Sequence, residues 1–271
     1  MDAAVLQIRS VKSDYEVALI RESSRLQGIL MNEILPGFLR EGMSEAELTA
    51  DLLREMILMG HQGLERLGMF QGEMILGNVA FGENSIYPTN FDGPAGMKGM
   101  CPAIPLIGDR DRKLAKGDLV YVDIGFGYQG YHSDRTQLYV YKGELPDSAA
   151  RILGQCLTIQ KKAAALLKPG SIPETIYQEV LKECDEQFLE GFMGCGGSTV
   201  QFLGHGVGLQ LDEYPVIARG FSEPLQKNMV IALEPKKSLV GYGMIGSEDT
   251  YLVSDDGGIC LTGGEVSVIN V

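Results

Sequence analysis

Apolar residues recur along this chain with two periods, and the changes of period divide it into helices and strands. From Ser13 to about Leu35, Tyr15, Leu19, Leu26, Leu30 and Ile34 fall at helical spacing, and Pro36-Gly37 closes the segment. Ser44 and Glu47 then form a capping box for a helix to about Met59, whose buried face is Leu48, Leu52, Met56 and Met59. A strand is predicted around Met74 to Val79. Leu119 to Ile124 and Tyr131 to Tyr141 are rich in Val, Ile, Tyr and Thr and are joined by a short glycine-punctuated turn, which reads as a hairpin. Asp147 or Ser148 opens a helix to about Leu167, carrying Leu153, Leu157, Gln160, Ala164 and Leu167 and ended by Lys168-Pro169-Gly170. Ser171 and Glu174 form a second capping box, for a helix on Ile176, Val180, Cys184 and Phe188. Residues 196–271 read as strands and turns.

Helices between strand groups predict an α+β fold, with helices on one face of an antiparallel sheet. The order helix, break, Ser-x-x-Glu, helix occurs twice, which predicts an internal duplication. Between the halves, residues 92–112 are irregular and too long for a simple connection, so they are a candidate rim or lid.

Composition narrows the function classes. With 271 residues and 45% hydrophobic content, the chain can bury a large core. A formal charge of −13 argues against a nucleic-acid or anionic-membrane surface, which needs a basic patch. No run approaches the roughly 18 apolar residues of a membrane span, and the first residues lack the apolar core of a signal peptide. Cys101, Cys156, Cys184, Cys195 and Cys260 are scattered and odd in number, which predicts free thiols in a reducing cytoplasm.

The hairpin carries the chemistry. If it folds symmetrically about Tyr128 and Gln129, Asp123 and Asp134 face each other, and like charges so placed repel. A shared proton or a bound divalent cation would compensate; a different register would remove the problem. Gly125, Gly127 and Gly130 match a dinucleotide fingerprint, but a strand follows where that motif needs a helix N-terminus. Of three histidines, His205 stands out, because Gly204, Gly206 and Gly208 clear space around it. Glu234 ends the apolar run Met229 to Leu233, and Glu248 opens another, EDTYLV; a carboxylate buried there must be paired or metal-bound.

The phrases VDIG…GYHSDRT, LGHGVGLQLDEYP, LEP and SEDTYLVSDDG, in that order, resemble the creatinase/aminopeptidase superfamily over nearly the whole chain, and most of all its Xaa-Pro aminopeptidase/prolidase branch. The resemblance implies a pita-bread fold: a curved antiparallel sheet with helices on its outer face and an internal pseudo-two-fold duplication, here as one catalytic domain over 1–271. The chain begins where such proteins pass from an N-terminal domain into the catalytic one. The resemblance further implies that Asp123, Asp134, His205, Glu234 and Glu248 hold two divalent metals, that Glu234 shuttles a proton in hydrolysis of short Xaa-Pro peptides, and that the protein dimerises. Two divalent cations would cancel four carboxylates and leave a water able to ionise near neutral pH. The oxygen-rich set favours manganese over cobalt, iron or zinc. Thr89, Gln201 and Asp212 stand where relatives carry substrate-binding histidines, and Gly246 where they carry an arginine. Those replacements leave open a metalloenzyme acting on a small non-peptide substrate, or a catalytically silent binding module.

Overall fold

A computed structural model describes residues 3–68, 72–89, 93–101, 107–195, 197–263 and 268–271. Six α-helices are described: α1 (Ala3–Ser10), α2 (Asp14–Ile29), α3 (Glu45–Leu58), α4 (Asp147–Ala165), α5 (Pro173–Leu181) and the single turn α6 (Glu186–Leu189). The larger sheets use β1 (Gly77–Phe81), β2 (Leu119–Tyr128), β3 (Tyr131–Val140), β4 (Phe202–Gly206), β5 (Glu213–Ala218) and β6 (Val230–Leu233), then β9 (Asp249–Ser254), β10 (Gly257–Cys260) and β11 (Val268–Asn270); β7 (Lys236–Leu239) and β8 (Gly243–Gly246) form a separate ribbon. One sheet has the order β11-β3-β2-β1 and the other β10-β9-β6-β4-β5. Pairing within both is antiparallel except between β11 and β3.

Each sheet is backed by its own helices, as the repeated order of elements predicts. Leu48, Leu52 and Met56 of α3, with Leu30, Met31 and Leu35 just beyond α2, pack on Val120, Val122, Ile124 and Phe126 of β2. The other side chains of β2, including Asp123, therefore point to the opposite face. Cys156, Ile159 and Ala163 of α4 and Ile176 and Val180 of α5 pack on Leu203, Ile231, Leu233 and Val253.

The capping box at Ser44 forms as predicted: its hydroxyl accepts from the Glu47 amide at 3.1 Å, and the Glu47 carboxylate accepts from the Ser44 amide at 2.7 Å. The one at Ser171 does not. Pro173 has no amide hydrogen and a preset φ, so it takes the first helical position and Ile172 becomes the cap. The Glu174 amide that Ser171 would have bound donates instead to the Phe221 carbonyl. α5 also stops at Leu181, leaving Cys184 beyond it and Phe188 on α6, although Phe188 still enters the same core. The face of α2 differs from the predicted stripe. Tyr15 is exposed, whereas Ser23 and Gln27 are buried and donate to the Phe126 and Ile124 carbonyls of β2. These polar contacts are invisible to a count of apolar residues.

The hairpin register is also corrected. The turn is Gln129-Gly130, both with positive φ, and Tyr128 pairs with Tyr131. Asp134 therefore lies opposite Gly125, and Asp123 opposite Thr136. A shift of two residues preserves the face of every side chain, so both aspartates still point the same way, as diagonal neighbours.

None of the five cysteines is in a disulfide. Among the described residues, no helix is long and apolar enough to cross a membrane.

Candidate metal centre

The two sheets meet where β3 runs beside the segment leading into β9. The Thr136 amide donates to the Glu248 carbonyl at 3.2 Å, and the Thr250 hydroxyl both accepts from the Asp134 amide and donates to the Asp134 carbonyl, each at 2.9 Å. This seam brings Asp134 and Asp123 from one half against His205, Glu234 and Glu248 from the other. Glu234 directly follows β6, and Glu248 directly precedes β9. The strands beside His205 need its glycine neighbours: a Cβ on Gly204 would stand 2.1 Å from the Ala232 carbonyl oxygen, and one on Gly206 2.4 Å from that of Tyr214.

His205 Nε2 faces Glu234 Oε1 and Glu248 Oε1, each at 3.7 Å, and Asp134 Oδ2 at 3.9 Å. These separations are too long for hydrogen bonds. They suit ligands about one shared ion, which at bond lengths of about 2.0–2.2 Å stand roughly 3–4 Å apart. Ligand atoms of Asp134, His205 and Glu248 all lie within 4.8 Å of one another. Nδ1 lies 3.0 Å from Asp212 Oδ1 and 3.1 Å from the Gly206 carbonyl oxygen, so its partners assign a proton to Nδ1 and turn Nε2 toward the carboxylates. The cavity there measures about 30 Å³, and Gly93, Asp123, Asp134, His205, Asp212, Glu234 and Glu248 are among the residues that line it.

The electrostatics show a site short of positive charge. Burial pushes the Asp134 carboxyl well above its ordinary range, and Glu248 and Asp123 add repulsion. Burial raises Glu234 to about 8 and Asp123 to about 6 against the pull of Lys236. Burial disfavours the His205 cation, yet Asp212 and the surrounding glutamates hold that imidazole well above its usual range. Acids that resist ionising beside a base that resists deprotonation mark a place for a cation. Asp134, His205 and Glu248 form a group that could hold a metal ion, and Glu234 Oε1 faces the same imidazole nitrogen.

Asp123 is engaged differently. Its Oδ1 accepts from the Thr136 hydroxyl at 2.8 Å, and its Oδ2 from the Tyr121 hydroxyl at 2.8 Å and Lys236 Nζ at 3.0 Å. The same ammonium donates to Glu234 Oε2 at 2.8 Å and Glu248 Oε2 at 2.7 Å. Sequence reading missed Lys236, which stands beside Lys237 and looks like one of a solvated pair. In the strand the two alternate: Lys236 is fully buried and Lys237 is partly exposed.

The sequence profile of metallopeptidase family M24 matches residues 18–255. The chain belongs to this family. YkvY of Bacillus subtilis is 30% identical over 259 residues, covering 94% of this chain and 61% of that protein. The Xaa-Pro dipeptidase of Pyrococcus furiosus is 34% identical over 155 residues, covering 56% of this chain and 42% of that one. The chain thus spans about three fifths of the YkvY length and less of the Pyrococcus enzyme. Among solved structures, the X-Pro aminopeptidase of Thermotoga maritima superposes with a TM-score of 0.78 at 25% identity, covering all of this chain and 67% of that one. The architecture is the pita-bread fold that the sequence phrases imply.

The M24 resemblance singled out three further positions. Asp212 is at the centre, against His205. Thr89 is half-buried on the segment after β1. Gln201 is exposed, with its amide 3.4 Å from the Thr199 hydroxyl, and lines a separate surface groove with Tyr177 and Arg219. The other two histidines are tied to backbone: His61 Nδ1 accepts from the Gly127 amide, and His132 Nδ1 faces the Gly208 carbonyl oxygen.

Glu65 is a second residue that the sequence did not reveal. It is fully buried, no donor among the described residues reaches either carboxyl oxygen, and a Cβ on Gly125 would stand 2.6 Å from it. The available signal was Gly125 itself, because a glycine inside a strand marks close approach by another group. Of the candidate lid, residue 92 and residues 102–106 lie outside the described residues. Gly93 reaches the cavity, and the Asp109 amide is anchored on Glu45 at 2.9 Å.

Proposed function

We propose that this protein is a metal-dependent hydrolase of short peptides, of the Xaa-Pro dipeptidase or aminopeptidase kind. The observation that carries the reading is the imidazole nitrogen of His205 turned onto three buried carboxylates of an M24 fold. A divalent cation held by Asp134, His205, Glu234 and Glu248 would lower the pKa of a water and polarise the scissile carbonyl. The protein's own groups do the rest. Asp212 fixes the tautomer of His205. Glu234 keeps Oε2 on Lys236 and turns Oε1 to the cavity, where the ion would lie, and its carboxylate is also the group assigned to carry the proton of an attacking water to the leaving nitrogen. Gly93, within the candidate lid, is among the residues that line the cavity.

Manganese-loaded protein is expected to cleave members of an Xaa-Pro dipeptide panel, and Asp134→Ala to abolish the activity. Metal-replete, folded protein that cleaves nothing in the panel would refute the assignment. Small amides included in the same screen report on a non-peptide substrate, the reading favoured by a carboxylate rather than a histidine at position 212.

A further inference from the structure

Three observations converge on Lys236. Its ammonium has three N–H donors, and three carboxylates, those of Asp123, Glu234 and Glu248, take them at 2.7–3.0 Å. The side chain is fully buried, so an ion bound between Asp123 and Glu248 would have to displace Nζ into protein interior. The space for this side chain is built in. Lys236 pairs across the β7–β8 ribbon with Gly246, where a Cβ would stand 2.7 Å from both Cα and Cγ of Lys236. The cationic side chain expected at position 246 is thus absent, and a lysine fills the position directly opposite.

What remains suits a single ion. Asp123 accepts from protein donors on both oxygens, one of them the Thr136 hydroxyl that also lies 3.0 Å from Glu248 Oε2, whereas ligand atoms of Asp134, His205 and Glu248 face one another.

We propose that the centre takes one divalent cation, held by Asp134, His205, Glu234 and Glu248, and that the Lys236 ammonium permanently fills a second cationic position beside Asp123. This rests on the metal-dependent reading above. It makes Lys236 a positioning residue: it ties down one oxygen each of Glu234 and Glu248, leaving the others to face the ion.

Chelator-stripped full-length protein titrated with Mn(II) should bind one equivalent by calorimetry and elemental analysis. Its electron paramagnetic resonance spectrum should be the six-line signal of isolated Mn(II). Lys236→Ala and Lys236→Gly, checked for folding by circular dichroism in the presence of Mn(II), should take up a second equivalent and show exchange-coupled multiline features. Two equivalents with a coupled signal in the wild type would overturn the role of Lys236 while leaving the hydrolase reading intact. No bound metal in the wild type would overturn both. Folded variants that still stop at one equivalent would show that Lys236 is not what fills the second position. Should neither variant fold, the wild-type stoichiometry and spectrum decide alone.

Discussion

Asp212 and Glu65 are two carboxyl groups with opposite surroundings near one centre. Asp212 faces His205 Nδ1 at 3.0 Å, the position of the outer partner that would fix the imidazole toward the proposed ion. Replacing it with alanine is expected to weaken metal binding by about 10–100-fold, measured by calorimetry, with the fold retained. Glu65 has no such partner among the described residues, and burial, followed by the repulsion of Asp212 and Asp123, pushes its carboxyl well above the ordinary range. Glu65→Met keeps the length and removes two acceptors that lack donors, so it should stabilise the fold by about 1–3 kcal/mol in urea unfolding; a loss of stability would mean that the carboxyl has a partner. The sequence shows Asp123, Glu234 and Glu248 because each interrupts an apolar run, where a charge is conspicuous. It hides Glu65 and Lys236, because neither sits in such a run and their burial is imposed by a distant glycine, Gly125 or Gly246.

At the scale of elements, local chemistry was legible wherever it acted alone. Ser44 and Glu47 made their capping box, whereas Ser171 and Glu174 carried the same pattern and lost it to Pro173 and to the Phe221 carbonyl. The hairpin was legible in its strands and their faces but not in its register, which Gln129 and Gly130 set by adopting positive φ. The first residue of α3 then does something no periodicity reveals. Glu45 is fully buried and accepts from the Phe81 amide at 2.7 Å, the Asp109 amide at 2.9 Å and the Asn84 side chain at 3.0 Å, pinning the end of the candidate lid to α3. Burial nevertheless raises its carboxyl from the ordinary 4.5 to about 7. Between those values the folded state retains a proton that the unfolded state has released, so stability falls as pH rises through that window, by up to about 3 kcal/mol, and levels off above it. Glu45→Gln should flatten that part of the profile in urea midpoints taken from pH 4 to 8. It also sets an amide group against backbone donors, so hydrogen exchange at the Asp109 amide should accelerate. An unchanged profile and unchanged exchange would show that Glu45 neither titrates in this range nor holds the lid.

The whole molecule explains why the ligand-type residues are scattered along the chain. Asp123 and Asp134 belong to one half and His205, Glu234 and Glu248 to the other, so the centre exists only where the halves join. That junction is clasped from outside the site. After α1, Val11 bridges to Met229, and the buried Lys12 donates to Glu213 Oε1 at 2.8 Å while Arg9 reaches Oε2 at 2.6 Å. The next helix, α2, packs on the hairpin of the first half, so the N-terminal segment links both sheets. Glu213 directly follows Asp212, and the clasp thereby holds the strand end that presents Asp212 to His205. Burial lowers the Lys12 amine below its usual range against the attraction of Glu213, so the ammonium depends on that carboxylate. Removing one member of a buried pair leaves the other uncompensated, which typically costs about 3–5 kcal/mol. Glu213→Gln should therefore lose stability on that scale in urea unfolding, whereas Arg9→Ala, on the more exposed arm, should lose about 1 kcal/mol or less. Glu213→Gln should also weaken Mn(II) binding, although residue 213 lies outside the proposed ligand set, because Asp212 loses its anchor. A variant that unfolds more easily yet binds Mn(II) with wild-type affinity would separate the clasp from the centre, and would show that Asp212 is held by β4 and β5 alone.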